Sequence, residues 1–270
     1  LFWRAPTDND YGNGMPSRCQ AFKTSSREFN VKADFDGESI VAEYSLASGN
    51  IFTVRYTLLE GGVLSVSSDF KGVKSDKPVD VPRIGFRMRL PASDDSFTYY
   101  GRGPEENYSD RFSGTLVGKY SSSAAKEYFR YVRPQECGHH TDCGYLTIGG
   151  MAIRSERFEF NALRCSVEDL DSEEAVQHDY QWEYKDPLSK NDPAKAKNRL
   201  RRQTHINDYS ERDFVEVCVD YAQSGIGGYD SWGSRPDSDR CLWNDKDYSF
   251  RFAVVPNKAM SAEKSMRYDF

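Results

Sequence analysis

Polar and apolar residues alternate along most of this chain, and short turn signals cut the alternation again and again. Residues 29–36 run to Asp36-Gly37 and return as 40–47, and Ser48-Gly49-Asn50 then leads into 51–59. Gly61-Gly62 reverses that run into 63–70. A period of two sends successive side chains to opposite faces, and such Gly-containing dipeptides favour tight hairpins, so these are antiparallel strands in series. The same texture returns at 82–90, 145–148, 152–154, 158–167, 176–184, 214–221 and 248–255, with Gly149-Gly150 as a further turn. Helical spacing is nearly absent; its best candidate is the short acidic piece 171–175. This many short strands predict an all-β chain built as a large antiparallel β-sandwich.

Composition narrows the function classes. A chain of 270 residues is long enough for one large β domain or two modest ones. Its net charge of −6 argues against nucleic acid as a partner, because phosphate contacts need a basic excess. No apolar run nears the roughly 20 residues of a membrane-spanning helix, which predicts a soluble protein with no membrane partner and leaves cytoplasm and periplasm open. The six cysteines are scattered with no CxxC pair, unlike a disulfide scaffold, and Cys218 between Val217 and Val219 reads as a buried free thiol. The opening Leu1-Phe2-Trp3 lacks an initiator Met and a signal pattern, so we expect a domain excised from a longer protein. Residues 1–256 are expected to form one domain, 257–270 a polar tail, and 186–203, rich in Lys and Arg, a solvated insertion loop.

Four polar segments are candidates for chemistry. The stretch 225–233 (GIGGYDSWG) sets four glycines around Trp232, which makes a shaped loop presenting an indole, suited to stack on a sugar face, or a plain corner with Trp232 in the core. In 100–111 (YGRGPEENYSDR), Gly101 and Gly103 flank Arg102, and the neighbours Glu105 and Glu106 are better placed to cap amides or pair with Arg102 and Arg111 than to act as a glycosidase pair. In 131–142 (YVRPQECGHHTD), Cys137, His139 and His140, with Cys143 beyond, give one local cluster where structural zinc uses two separated ligand pairs, so no metal is assigned. In 2–12 (FWRAPTDNDYG), Asp8, Asn9 and Asp10 lack the spacing and closing Glu of a calcium loop. No G-x-S-x-G, HExxH or P-loop occurs.

In this order the four segments, with the final YSFRFAVVP at 248–256, resemble the C-terminal small-chain domain of the long bacterial β-galactosidases of glycoside hydrolase family 2. The resemblance covers nearly the whole chain. It implies the supersandwich shared with galactose mutarotases. It also implies that both catalytic carboxylates, with magnesium and a monovalent cation, belong to other domains, so that this chain holds no catalytic residue, metal or cofactor. The galactoside would be bound jointly with the barrel domain of the same polypeptide, and a homo-oligomeric parent is left open. The resemblance places Trp232 and Asp230 on the substrate-binding surface, and the family's active-site loop on Gly101, Arg102, Gly103, Glu106, Asn107 and Arg111. Tyr229, where members often have Asp, and Gly144-Tyr145, where they commonly have Arg-Trp, depart from the pattern. Two alternatives stand beside this reading. One is an aldose 1-epimerase-like enzyme using His139 or His140 with Glu136 as acid and base. The other is an autonomous carbohydrate-binding module.

Overall fold

A computed structural model of the chain describes residues 1–171, 205–230 and 233–256. The expected strand at 176–184, the basic segment 186–203, the tail 257–270, and Ser231 with Trp232 lie outside the described residues.

The hairpin series forms as its turns dictate. Strands β1 (Asn30–Phe35), β2 (Ser39–Ser45), β3 (Ile51–Leu58) and β4 (Leu64–Lys71) make an antiparallel meander. Gly37, Gly49 and Gly61 carry positive φ at the expected reversals. The ladder continues from β4 to β11 (Tyr248–Pro256), then β9 (Met151–Leu163), β8 (His139–Ile148), β6 (Ser96–Gly103) and β7 (Leu116–Ser123). Two strands lie off this path: β10 (Phe214–Gln223) pairs with β9 and carries β5 (Arg83–Pro91) on its far edge.

The long strand β9 divides the sheet. Met151, Ala152, Ile153 and Arg154 pair with β11, whereas residues from Glu159 to Leu163 pair with β10. One strand thus feeds two layers, and the layers close face to face. Phe86 of β5 reaches across to Phe52 of β3 and Phe252 of β11, at ring-centroid distances of 5.9 and 5.2 Å. Phe2 enters the same space from the N-terminal segment and meets Phe52 edge-on at 5.1 Å. Burying such rings is the main drive for the two layers to associate. The protein is an all-β antiparallel sandwich. Among the described residues no helix is long and apolar enough to cross a membrane.

Several elements differ from the expectation. Residues 152–154 and 158–163 belong to one continuous strand, and Val167 opens a short helix, α4 (Val167–Leu170), as read in chain order. Asp171 is the C-cap of that helix, and 172–175, the rest of the expected helical piece, lie outside the described residues. Strands β6 and β7 carry few alternation cues because glycines interrupt them. Ahead of β1 the chain also makes three short helices, α1 (Asp8–Asn13), α2 (Met15–Arg18) and α3 (Gln20–Ser25). They are too short to display a helical period, yet their punctuation is in the sequence. Thr7 and Asp10 form a reciprocal capping box, and Gly14 ends α1 at a φ of 75°.

Candidate functional site

All four polar segments meet at one place, held by side chains that bond backbone across long sequence separations. The N-terminal segment is the hub. Arg4 and Asp10 form a buried ion pair, with Arg4 Nη2 donating to Asp10 Oδ1 at 3.1 Å and to the Gly225 carbonyl at 3.3 Å. Asp10 also accepts from the Thr7 amide at 2.8 Å, so one carboxylate ties the helix cap to Arg4. Asn9 Nδ2 donates to the carbonyls of Ile226 and Ser234 at 2.9 and 2.8 Å. The third segment joins through Gln135, which accepts from the Asp8 amide at 2.7 Å, and Glu136, which accepts from Ala5 at 3.3 Å. Arg133 lies 3.9 Å above the centroid of the Tyr11 ring.

The second segment is part strand, part loop. Gly101, Arg102 and Gly103 lie inside β6, paired with Gly118, Val117 and Leu116 of β7, so the loop begins only at Pro104. Arg102 donates to Asp142 at 2.9 Å and to the Thr115 carbonyl at 3.0 Å, and its guanidinium covers the Phe112 ring at 4.8 Å. Asn107 is fully buried and all its bonding capacity is used. Its Nδ2 donates to the carbonyls of Arg102 and Glu105, both at 3.0 Å, and its Oδ1 accepts from the amide and hydroxyl of Thr141 at 3.0 and 2.6 Å. Glu106 accepts from the Gly138 amide at 2.8 Å, from Arg111 at 2.5 Å and from the Tyr131 hydroxyl. Burial, reinforced by the Glu106 carboxylate, pushes the Tyr131 hydroxyl up to about 12. The amide-capping and Arg111-pairing roles expected of the Glu105–Glu106 neighbours fall to Glu106, while Arg102 turns to Asp142 instead.

The glycine-rich segment follows β10 and is shaped from outside. Asp110 accepts the amides of Ile226 and Gly227 at 3.1 and 2.8 Å, one on each carboxylate oxygen. Gly227 has a φ of +62°, and a Cβ there would overlap the Ser234 carbonyl oxygen. At Gly233, with a φ of +82°, a Cβ would stand 2.5 Å from the Gly12 carbonyl carbon. Glycine is required at both positions for space as well as dihedral angle. Tyr229 is 57% exposed, and Asp230 is exposed with Oδ1 accepting from the Ser234 amide at 3.0 Å. Trp232, the residue placed on the substrate surface by resemblance, falls outside the described residues.

Beneath these loops lies a buried polar layer. As neighbours on β8, His139 and His140 point to opposite faces. His140 Nε2 meets Glu127 at 2.8 Å and its Nδ1 meets the Tyr99 hydroxyl at 3.1 Å. His139 Nε2 meets Glu159 at 2.9 Å, and its Nδ1 meets the Gln223 side-chain nitrogen at 3.0 Å. That nitrogen also serves the Glu136 carboxylate at 3.0 Å, so it is the amide donor, and His139 keeps its proton on Nε2. Burial, with Arg83 next, holds the His139 imidazole well below its usual range, and burial raises Glu159 to about 7. Arg83 sits between Glu136 at 3.1 Å and Asp220 at 3.0 Å with no exposed surface.

Cys137 and Cys143 are buried free thiols, pushed well above their ordinary range by desolvation. Among the described residues no group of three or more His, Cys, Asp or Glu side chains is arranged to hold a metal ion. The acid–base candidates His139, His140 and Glu136 are all buried and engaged with protein partners. Sequence reasoning assigned no loop-shaping role to Asn9, Asp110 or Gln135. Their only local signal is residue type, since Asn, Asp and Gln in polar segments commonly bond backbone.

An antiparallel sandwich whose loops are cross-tied by buried ion pairs and side-chain-to-backbone bonds defines a β-domain with one elaborated end. The chain belongs to the β-galactosidase small chain family, whose profile matches residues 1–254. It is 32% identical to a β-galactosidase of Priestia megaterium over 271 residues, which covers 94% of this chain and 23% of that protein. The corresponding values are 25%, 96% and 23% for a β-galactosidase of Actinobacillus pleuropneumoniae, and 26%, 94% and 23% for one of Streptococcus thermophilus. The chain therefore spans under a quarter of the length of these relatives.

Proposed function

We propose that this chain is the C-terminal domain of a retaining β-galactosidase that hydrolyses terminal β-D-galactosides, and that its elaborated end completes the substrate pocket. The observation that carries the reading is the convergence of segments 2–12, 104–111, 131–142 and 225–234 on one another through bonds such as Asn9 to Ile226 and Asp110 to Gly227. A binding surface needs fixed backbone, and these bonds fix it. Trp232 and Asp230 are the residues of this chain that meet the sugar, and Arg111, 49% exposed on its side chain, lies on the rim. Stacking on an aromatic face suits the apolar side of galactose.

The catalytic pair belongs to the remainder of the polypeptide. A retaining glycosidase needs a nucleophile and an acid/base carboxylate about 5 Å apart across the substrate. Here the carboxylates of Glu136, Glu159 and Asp220 are buried inside the sandwich and engaged by Gln223, His139 and Arg83 respectively. The magnesium and monovalent cation of the parent are likewise held by its other domains.

The test is Trp232→Ala in the full-length enzyme. The Michaelis constant for a nitrophenyl galactoside should rise by about tenfold or more, while the thermal midpoint stays in place. A collapsed midpoint with an unchanged Michaelis constant would make Trp232 a core residue and refute the reading. The isolated 270-residue chain should release no nitrophenol, and galactose titration should give millimolar affinity at best, because one wall buries too little of the ligand. Micromolar binding would favour an autonomous carbohydrate-binding module.

A further inference from the structure

Asp110 belongs to the 104–111 loop, yet its carboxylate is spent on another segment. The amides of Ile226 and Gly227 are consecutive donors, and they converge on its two oxygens at 3.1 and 2.8 Å. Gly227 has a positive φ of 62°, and its amide and that of Ile226 face the same side, where they meet one anion. In this protein the anion is internal. The Tyr229 hydroxyl adds a third, longer contact to Asp110 at 3.4 Å. The opposite side of the same backbone is held by Asn9, whose single amide group donates to the carbonyls of Ile226 and Ser234. The start of the loop is therefore gripped through its N–H groups by Asp110 and through a carbonyl by Asn9, and Asn9 also takes the far end at Ser234. Asp230 lies between those two anchors, as does Trp232 in the sequence.

We propose that Asp110 is a positioning residue for the 225–234 loop. Touching no sugar itself, it sets the affinity for the galactoside through the backbone it holds; this rests on the proposed function above. A charged acceptor matters here, because hydrogen bonds to an ionised oxygen are stronger than neutral ones. Asparagine at 110 keeps one acceptor oxygen but turns a donor toward the second amide, so it can satisfy only one of the two N–H groups. Alanine satisfies neither. Graded loss in the order Asp, Asn, Ala is the signature of this role.

The experiment uses the full-length enzyme with Asp110→Asn, Asp110→Ala, Trp232→Ala and the double variant Asp110→Ala/Trp232→Ala, each assayed for kcat, KM and thermal midpoint with a nitrophenyl galactoside. Asp110→Ala should raise KM about tenfold and Asp110→Asn about threefold, with kcat less affected and the midpoint of Asp110→Asn unchanged. The double variant should be impaired by less than the two single effects combined, since with Trp232 gone Asp110 has only Asp230 left to position. KM within about twofold of the parent in both Asp110 variants, with Trp232→Ala impaired, overturns this inference and leaves the proposed function standing. Additive effects in the double variant, or a KM increase that tracks a falling midpoint, also overturn it. An unchanged KM in Trp232→Ala removes the proposed function and this inference together.

Discussion

Asn107 offers the sharpest test of how the elaborated end is built. It has no exposed surface; its two bonds to Thr141 are buried, and those to the Arg102 and Glu105 carbonyls are part-buried. Replacing it with alanine leaves two carbonyls (Arg102 and Glu105), the Thr141 amide and the Thr141 hydroxyl without their partner. A lost intramolecular hydrogen bond costs about 1 kcal/mol net, and more where the orphaned group stays dry. Four such losses give about 4 kcal/mol; water entering beside the exposed Glu105 side chain offsets part of this, for an expected loss of about 3 kcal/mol. Against a total stability of roughly 5–15 kcal/mol, the loss should move the urea midpoint far down with little change in slope. Asn107→Asp should be at least as harmful. It keeps the acceptors for Thr141 but points a carboxylate oxygen at two carbonyls in a buried site. The assay is equilibrium urea unfolding of the 270-residue chain, parent and variants side by side. A loss below about 1 kcal/mol in Asn107→Ala at unchanged slope would refute the reasoning, because it would mean that the four bonds add nothing over hydration.

Three further outcomes follow from the same interior. Burial raises Glu159 from its ordinary value near 4.5 to about 7, so its contribution to stability is present below the unfolded value and is lost as pH rises through 7. Glu159 should therefore contribute a loss of about 2.5 kcal/mol between pH 5 and pH 8, alongside Asp220, which burial also raises to about 7, and Glu159→Gln, read by urea unfolding across that range, should flatten the slope in part. Gly233→Ala puts a Cβ against the Gly12 carbonyl carbon and forces a left-handed residue, so unfolding should show a loss of about 2 kcal/mol or more. Phe86→Ala removes the ring that bridges the two layers to Phe52, Phe250 and Phe252, and the thermal unfolding midpoint should drop by an amount equivalent to about 3 kcal/mol.

The strands that the sequence announced and the ones it hid differ in one physical respect. At Gly37, Gly49 and Gly61 the glycine answers a local demand, a left-handed turn, and a local reading recovers it. At Gly101 and Gly103 the demand is tertiary: a Cβ at the first would overlap the Cys143 sulfur, and at the second the Tyr99 hydroxyl. Those residues are in a strand, packed so tightly that only glycine fits, and the same letter that marks a turn elsewhere concealed β6 here. The N-terminal helices were obscured for a related reason. Each is too short to show a period, and only the Thr7–Asp10 box and Gly14 mark their ends.

The site was legible as a set of segments but not as a geometry. Its contacts join residues far apart in the chain, such as Asn9 with Ser234 and Asp110 with Gly227, 225 and 117 positions away. No window along the sequence contains both partners. What a sequence can carry is the chemical type of each half: Asn and Asp with spare hydrogen-bonding groups on one side, and glycines with unpaired amides on the other. The small-chain resemblance supplied the expectation that these segments face a substrate, and it assigned the loop roles to Arg102, Glu106 and Asn107. In the fold those three side chains point their polar atoms at Asp142, Gly138 and Thr141 respectively. Their work is to hold backbone, and the exposed side chains at this end among the described residues include those of Asp8, Glu105, Arg111, Val132, Tyr229 and Asp230. Under the proposed function, this end of the domain would meet its substrate as a backbone frame that is built from inward-facing polar groups and displays a few outward ones.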